Sequence, residues 1–152
     1  MDDAEAQKLL SQLDDPSYGE YPDGFDYRTA EARARSLLPS LEALFATPVD
    51  FEDGAKIQDA AFHTDVFIPE SALTRPLGTA TRAVLRFSNF GNMVAVWPED
   101  AIAPDVLRRM QQVLEGAGYR WIPARVLNRP YHPARPKGLA IDSWWDRFFE
   151  WF

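Results

Sequence analysis

Two side chains suited to acid–base or metal chemistry, His63 and Asp65, lie two positions apart in a stretch that alternates apolar and polar residues. Residues two apart on a β-strand share one face of the sheet, so an imidazole and a carboxylate would project together. The pair could supply two ligands to a metal ion, with His132 as a third, or orient the imidazole as a general base. With Arg86 from a further predicted strand, these residues define a candidate pocket for a small enzyme or a ligand-binding domain.

Little else in the sequence supports catalysis. A strand histidine more often hydrogen-bonds a neighbour than binds a metal, and no nucleophile can be assigned to His63 from the sequence. The motifs of P-loop, dinucleotide, serine-hydrolase and zinc-protease sites do not occur, and the chain has no cysteine. Thiolate metal sites, iron–sulfur clusters, disulfides and cysteine nucleophiles are therefore excluded. We expect a non-catalytic protein with no cofactor and no metal.

Residues 14–27 form an acidic–aromatic segment with the sequence DDPSYGEYPDGFDY, in which Pro and Gly favour turns. Carboxylates speed encounter with a basic partner, and tyrosines supply anchoring contact area. A solvated loop is the alternative interpretation, whereas the ligand spacing of an EF-hand calcium loop is missing. The sequence thus predicts a binding surface for a basic protein, made of Asp14, Asp15, Tyr18, Glu20, Tyr21, Asp23, Asp26 and Tyr27.

Charge is distributed unevenly along the 152 residues. The formal net charge is −7, of which residues 1–55 carry −9 and residues 56–152 carry +2. An acidic molecule repels phosphate backbones and anionic lipids, so neither nucleic acid nor a membrane is an expected partner. Residues 123–140 have the opposite character and are expected to form an extended surface loop, which would either bind an anion or pair with the acidic first third. The loop carries Arg125, Arg129, Tyr131, His132, Arg135 and Lys137.

Apolar residues at helical spacing predict a first helix from Ala4 to Leu13 and a second from about Thr29 to Phe45, which Pro39 should kink or divide. Pro104 suits the first position of another amphipathic helix, which the sequence Gly116-Ala117-Gly118 ends. These helices are expected to cover a sheet.

A period of two predicts strands from Ala60 to Ile68 and from Arg82 to Phe87, and a third from Met93 to Trp97. The last two are joined by Ser88–Asn92, whose Asn and Gly tolerate the positive φ of a hairpin turn. Tyr119 to Ile122 reads as a short strand that completes a β–helix–β unit with the helix before it.

Six of the last nine residues are aromatic, and a helix capped by Ser143 would place all six on one side. Asp146, Arg147 and Glu150 then lie opposite. Six exposed large aromatic side chains would exceed the apolar patch of an ordinary monomer. The helix therefore either docks on the sheet and completes the core, or provides a surface for a partner or a second copy of the chain.

These elements predict an α+β fold, with a three- to four-stranded, mainly antiparallel sheet, N-terminal helices and the C-terminal aromatic helix packed on it. One domain over residues 1–152 is expected, because 46% hydrophobic residues suffice for a core at this length. The first residues are acidic, unlike a secretory signal, and the longest apolar run, Met93–Trp97, is too short to span a membrane. A cytoplasmic location is expected.

The size, the acidity and the ending Trp144-Trp145-x-Arg147-Phe148-Phe149-x-Trp151 resemble the immunity proteins that accompany bacterial polymorphic and contact-dependent toxins. The resemblance implies a non-catalytic protein that binds one cognate toxin, often a basic nuclease, and blocks its active site with an acidic surface. It assigns no role to any individual residue.

Overall fold

The computed structural model describes residues 1–53, 64–133 and 140–150. Its helices are α1 Asp3–Leu13, α2 Tyr27–Arg35, α3 Leu38–Phe45, α4 Pro104–Gly116, α5 Ala124–Leu127 and α6 Trp144–Phe149. Its strands are β1 Phe51–Asp53, β2 Thr64–Phe67, β3 Val84–Phe87, β4 Met93–Trp97 and β5 Arg120–Trp121, and single 3₁₀ turns occupy Glu70–Ala72 and Glu99–Ala101.

The strands form one five-stranded sheet in the order β1-β2-β3-β4-β5. The pairings from β1 to β4 are antiparallel, and β5 runs parallel to β4. The predicted α+β class is confirmed, but the sheet is mixed and has more strands than expected. The additional strand is β1, whose three residues are too few to show an alternating pattern.

The hairpin between β3 and β4 ends in a tight turn, as predicted. Gly91 and Asn92 have φ values of +57° and +55°, and the Met93 amide donates to the Phe90 carbonyl at 3.1 Å. Two central residues with positive φ match the right-handed twist of the strands, which fixes the register of β3 against β4.

Two layers of helices cover the two faces of this sheet. Val94 and Val96 of β4 face α2, α3 and α4, where they pack with Leu41, Met110 and Leu114. Met93 and Ala95 alternate to the other face and pack with residues of α1, α5 and α6. We call these the α2–α4 layer and the α1–α5–α6 layer.

The helix boundaries follow local signals. The predicted helix over residues 29–45 is divided in two, with Pro39 in the first turn of α3 rather than in a helix interior. The α4 helix begins at Pro104 and ends at Gly116, as predicted. Ser143 caps α6, accepting from the Asp146 amide at 3.2 Å, and the Asp146 carboxylate accepts from the Ser143 amide at 2.9 Å.

Three aromatic residues of α6, Trp144, Phe148 and Phe149, are buried in the α1–α5–α6 layer, so this helix completes a core, as one of the two interpretations predicted. Trp151 and Phe152 lie outside the described residues. Within the residues that the structure describes, no helix is both long and apolar enough to cross a membrane.

The expectation of an extended surface loop after Pro123 was wrong for its first half. Residues 124–127 form α5, and Val126, Leu127 and Tyr131 are buried in the core. Prolines and arginines at the surrounding positions concealed these apolar residues, because four residues are too few to show a helical period.

Candidate functional site

Asp65 and Arg86, two members of the alternative pocket, lie directly opposite each other on β2 and β3. Arg86 binds both carboxylate oxygens of Asp65, with Nε–Oδ1 at 2.9 Å and Nη2–Oδ2 at 3.0 Å, and the Asp65 residue is 3% exposed. Arg86 Nη1 also donates to the carbonyl of Phe149 at 3.0 Å, which ties α6 to the sheet. Both carboxylate oxygens are thus occupied by a cation, an arrangement typical of a structural ion pair rather than a general base.

The described part of the chain shows no metal or acid–base site built on a histidine. His63 lies outside the described residues, and His132 is exposed on the segment after α5. Among the described side chains, no group of three or more metal-ligating residues is found. A role for His63 therefore stays a prediction.

The first half of the acidic–aromatic segment is held in place by Arg147 of α6. This side chain was expected on the outer side of the helix, yet Arg147 is only 3% exposed, because residues 14–19 pack over it. Its hydrogen bonds run from Nε to Asp14 Oδ1 at 2.7 Å, from Nη1 to the carbonyl of Gly19 at 2.9 Å, and from Nη2 to the carbonyls of Asp15 at 3.1 Å and Tyr18 at 3.3 Å. One guanidinium thus fixes the backbone of this loop.

The Asp14 carboxylate is bound by Arg147 and Tyr131 and is not exposed to solvent. Its second carboxylate oxygen accepts from the Tyr131 hydroxyl at 2.7 Å, and the Asp14 side chain is 5% exposed. Burial, followed by the hydrogen bond to Asp14 and its negative charge, raises the pKa of Tyr131 to about 12. Asp14 therefore belongs to the core of the loop.

Tyr18, Glu20 and Tyr27 are partly buried. Tyr18 packs against the α1–α5–α6 layer, the carbonyl of Glu20 accepts from Asn89 Nδ2 at 3.2 Å, and Tyr27 begins α2. These contacts join the segment to the β3–β4 hairpin and to both helical layers.

Asp15, Tyr21, Asp23 and Asp26 form the exposed part of the segment, which we call the outer acidic surface. Tyr21 is 46% exposed and stacks on Phe25 with ring centroids 5.8 Å apart. Within the described ranges no salt bridge involves Asp23. The structure thus places four of the eight predicted binding residues where a partner could reach their side chains.

Local hydrogen bonds keep two of these carboxylates charged. The hydroxyl of Thr29 and then its amide lower the pKa of Asp26, which caps α2, and the hydroxyl and amide of Ser17 lower the pKa of Asp15. Both groups are therefore anionic throughout the neutral range.

Two arginines of the predicted surface loop over residues 123–140 form ion pairs within the molecule. Arg125 Nε donates to Asp3 Oδ1 at 2.8 Å, and Arg129 Nη2 donates to Asp3 Oδ2 at 3.1 Å. This pairing joins α5 to α1, whereas Arg135 and Lys137 lie outside the described residues.

A cavity of about 360 Å³ opens beside the outer acidic surface, between α2 and the end of the sheet. Gly24, Phe25 and Asp26 form part of its wall, and α2, β2, β3, the hairpin turn and Tyr119 form the remainder. The sequence did not predict this cavity, because residues from distant parts of the chain meet there. Its polar members include Arg33, Thr64, Asn92 and Tyr119.

Arg33 crosses the cavity wall from α2. Its Nη1 donates to Asn92 Oδ1 at 2.6 Å, its Nη2 donates to the carbonyl of Ala117 at 2.9 Å, and its guanidinium lies 4.3 Å from the ring centroid of Tyr119. Burial raises the pKa of Tyr119, so its hydroxyl stays protonated at neutral pH.

Comparison of the chain with known protein families, with curated proteins and with solved structures gives no match. The interpretation of its function therefore depends on the geometry of these surfaces.

Proposed function

We propose that this protein is a non-catalytic binding domain that captures a basic protein with its outer acidic surface. In the form that the resemblance implies, it is a cytoplasmic immunity protein, and the partner is its cognate toxin. The observation that carries the proposal is the combination of exposed carboxylates with a loop backbone fixed by the buried Arg147.

Rigidity supports this proposal. A loop that is ordered before binding loses less conformational entropy on capture than a flexible one does. Arg147 and Asn89 anchor the stretch from Asp14 to Glu20. Asp26, the N-cap of α2, fixes the C-terminal end of the acidic–aromatic segment. The side chains between these anchors are presented without much further ordering.

The distribution of ion pairs gives a second argument. Other carboxylates of the first third are neutralised within the molecule, namely Asp3, Asp14, Glu31 and Asp50, each by an arginine. Asp23 has no such partner in the described part of the chain, and the exposed Tyr21 stands two positions before it. An exposed carboxylate without an arginine partner and an exposed aromatic side chain thus occur together in this loop, as a binding surface for a basic protein requires.

The test is calorimetric titration with the purified C-terminal domain of a toxin, taken from the gene adjacent to that of this protein where that gene encodes one. We expect Asp23→Lys and Tyr21→Ala each to weaken binding by about tenfold or more, because one reverses a charge and the other removes an aromatic anchor. Raising the ionic strength should slow association, since exposed charges are screened.

Glu70→Lys is the matched control, because Glu70 is an exposed carboxylate on the 3₁₀ turn after β2, at the end of the sheet opposite the β3–β4 hairpin turn that the segment contacts. It makes the same change in net charge and should leave affinity within about twofold, as expected for a rim charge outside the contact. Equal affinities for the wild type and for Asp23→Lys would refute the assignment of the surface, and a lack of any binding would refute the proposed function.

A further inference from the structure

Two largely buried residues that line the cavity beside α2 carry hydroxyl groups without a hydrogen-bond partner in the described part of the chain. Thr64 is 5% exposed and Tyr119 is 7% exposed, and both line the cavity. Among the described residues, neither hydroxyl has a hydrogen-bond partner. A hydroxyl that is shielded from water and lacks a partner is unfavourable, so an acceptor that enters the cavity would stabilise both groups.

Arg33 adds to the same cavity a positive charge that has no salt-bridge partner among the described residues. A guanidinium has five N–H donors, and the two hydrogen bonds of Arg33 go to uncharged oxygens, those of Asn92 and Ala117. In the described ranges no carboxylate forms a salt bridge with Arg33. The remaining donors can therefore serve an acceptor that enters the cavity.

Apolar groups surround these polar ones. The rings of Phe25 and Phe87 and the methyl group of Ala30 line the cavity, whose volume of about 360 Å³ lies in the range of small-molecule sites. A ligand that matches this lining has an apolar, flat body and one polar end that accepts hydrogen bonds.

We propose that this cavity binds a small organic carboxylate with an aromatic or similarly flat body, held by Arg33, Thr64 and Tyr119. The planar fork of a guanidinium matches the two oxygens of a carboxylate, and each hydroxyl can donate one further bond. A single negative charge suits the site better than the double charge of a phosphate monoester, because Asp26 lies in the cavity wall. This proposal stands independently of protein capture by the outer acidic surface.

Phenylacetate is the probe for this site, and phenylacetamide, which has the same shape without the charge, is its neutral control. We expect titration of the full chain with phenylacetate to shift the NMR resonances of residues around the cavity, with a Kd of about 1 mM or tighter. Phenylacetamide should bind about tenfold more weakly, because it lacks the charge that Arg33 recognises.

Thr64→Val and Tyr119→Phe remove the hydroxyl groups while keeping the shapes of the side chains. Each should weaken phenylacetate binding by about three- to tenfold without lowering the thermal midpoint, since neither hydroxyl forms a hydrogen bond with another described residue. Arg33→Gln should weaken it by more than tenfold, and Arg108→Gln, on the exposed side of α4, should not change it.

Two results would overturn the proposal: no shift of cavity resonances at about 10 mM phenylacetate, tenfold above the expected Kd, or equal affinities in the wild type and in both hydroxyl variants. A lower thermal midpoint for Thr64→Val or Tyr119→Phe would also count against it, because the hydroxyl would then serve the fold. Partner capture is measured separately through Asp23→Lys, so either proposal can fail alone.

Discussion

Arg147 is buried together with its counter-ion Asp14, so replacing Arg147 should lower the stability of the fold. Removing one member of a buried ion pair leaves the other without compensation, which typically costs about 3–5 kcal/mol. Arg147→Met keeps much of the side-chain volume but leaves Asp14 and the carbonyls of Asp15, Tyr18 and Gly19 without their donor. We expect urea unfolding to show a loss of stability of about this size.

Arg75→Met is the control for this substitution, because Arg75 and Asp100 form an exposed pair at 2.9 Å. Exposed pairs contribute about 1 kcal/mol or less. Similar losses for the two variants would contradict a structural role for Arg147.

Tyr131 provides a test of the same network by titration. Its pKa of about 12, above the ordinary 10.0, means that folding favours the protonated form. Its contribution to stability should be complete below the ordinary pKa and disappear as the pH rises through the folded value. Ultraviolet absorption of the phenolate should show fewer ionised tyrosines near pH 11 in the wild type than after unfolding. Tyr131→Phe should reduce this difference by one tyrosine, and the remainder belongs to Tyr119, whose pKa burial also raises. An ordinary pKa would contradict the buried bond to Asp14.

Contacts between individual side chains were harder to predict from the sequence than the helices and strands. Arg147 follows the helical pattern of an outward-facing residue, and only a loop more than a hundred positions earlier makes it buried. The pairing of Asp65 with Arg86 depends on strand register, which composition does not supply. The exposed residues of the acidic–aromatic segment were easier to identify, because their charges disfavour burial.

Gly91, in the turn of the β3–β4 hairpin, links that element to α1. Its φ of +57° is unfavourable for other residues, and a Cβ added there would displace the end of the flexible Leu13 side chain. We expect Gly91→Ala to lower the free energy of unfolding by the backbone cost of about 1–2 kcal/mol, with a smaller addition from the displacement of Leu13.

Gly78→Ala separates these two effects. Gly78 also has a positive φ, +82°, but its added Cβ would meet nothing within 4 Å. Its loss of stability should be limited to the backbone term of about 1–2 kcal/mol. The hypothesis that Leu13 of α1 is displaced is wrong if the two alanine variants lose equal stability.

Most elements could be predicted because their signals are local. Pro39 and Pro104 mark helix starts, Ser143 caps α6, and Gly91-Asn92 specifies the hairpin turn. The elements that were missed, β1 and α5, have three and four residues, so tertiary pairing and burial determine them.

At the scale of the molecule, the sheet lies between two helical layers and contributes side chains to both. Leu41 in α3 and Leu10 in α1 are fully buried on opposite sides of it. We expect Leu41→Ala and Leu10→Ala each to cost about 2–5 kcal/mol and to shift one common unfolding transition. Tryptophan fluorescence and far-ultraviolet circular dichroism should give coincident curves for both variants. Separate transitions would show that the layers unfold independently.

The distance in sequence between Arg147 and the carbonyls that it binds has a consequence for biosynthesis. A ribosome adds about 5–20 residues per second, and the loop around residues 14–19 precedes Arg147 by 128 to 133 positions. For several seconds of translation, the carbonyls of this loop are therefore made but lack the cation that orders them. The loop of residues 14–19 takes its final shape only after α6 emerges, so we expect the nascent chain not to show the proposed partner binding until then.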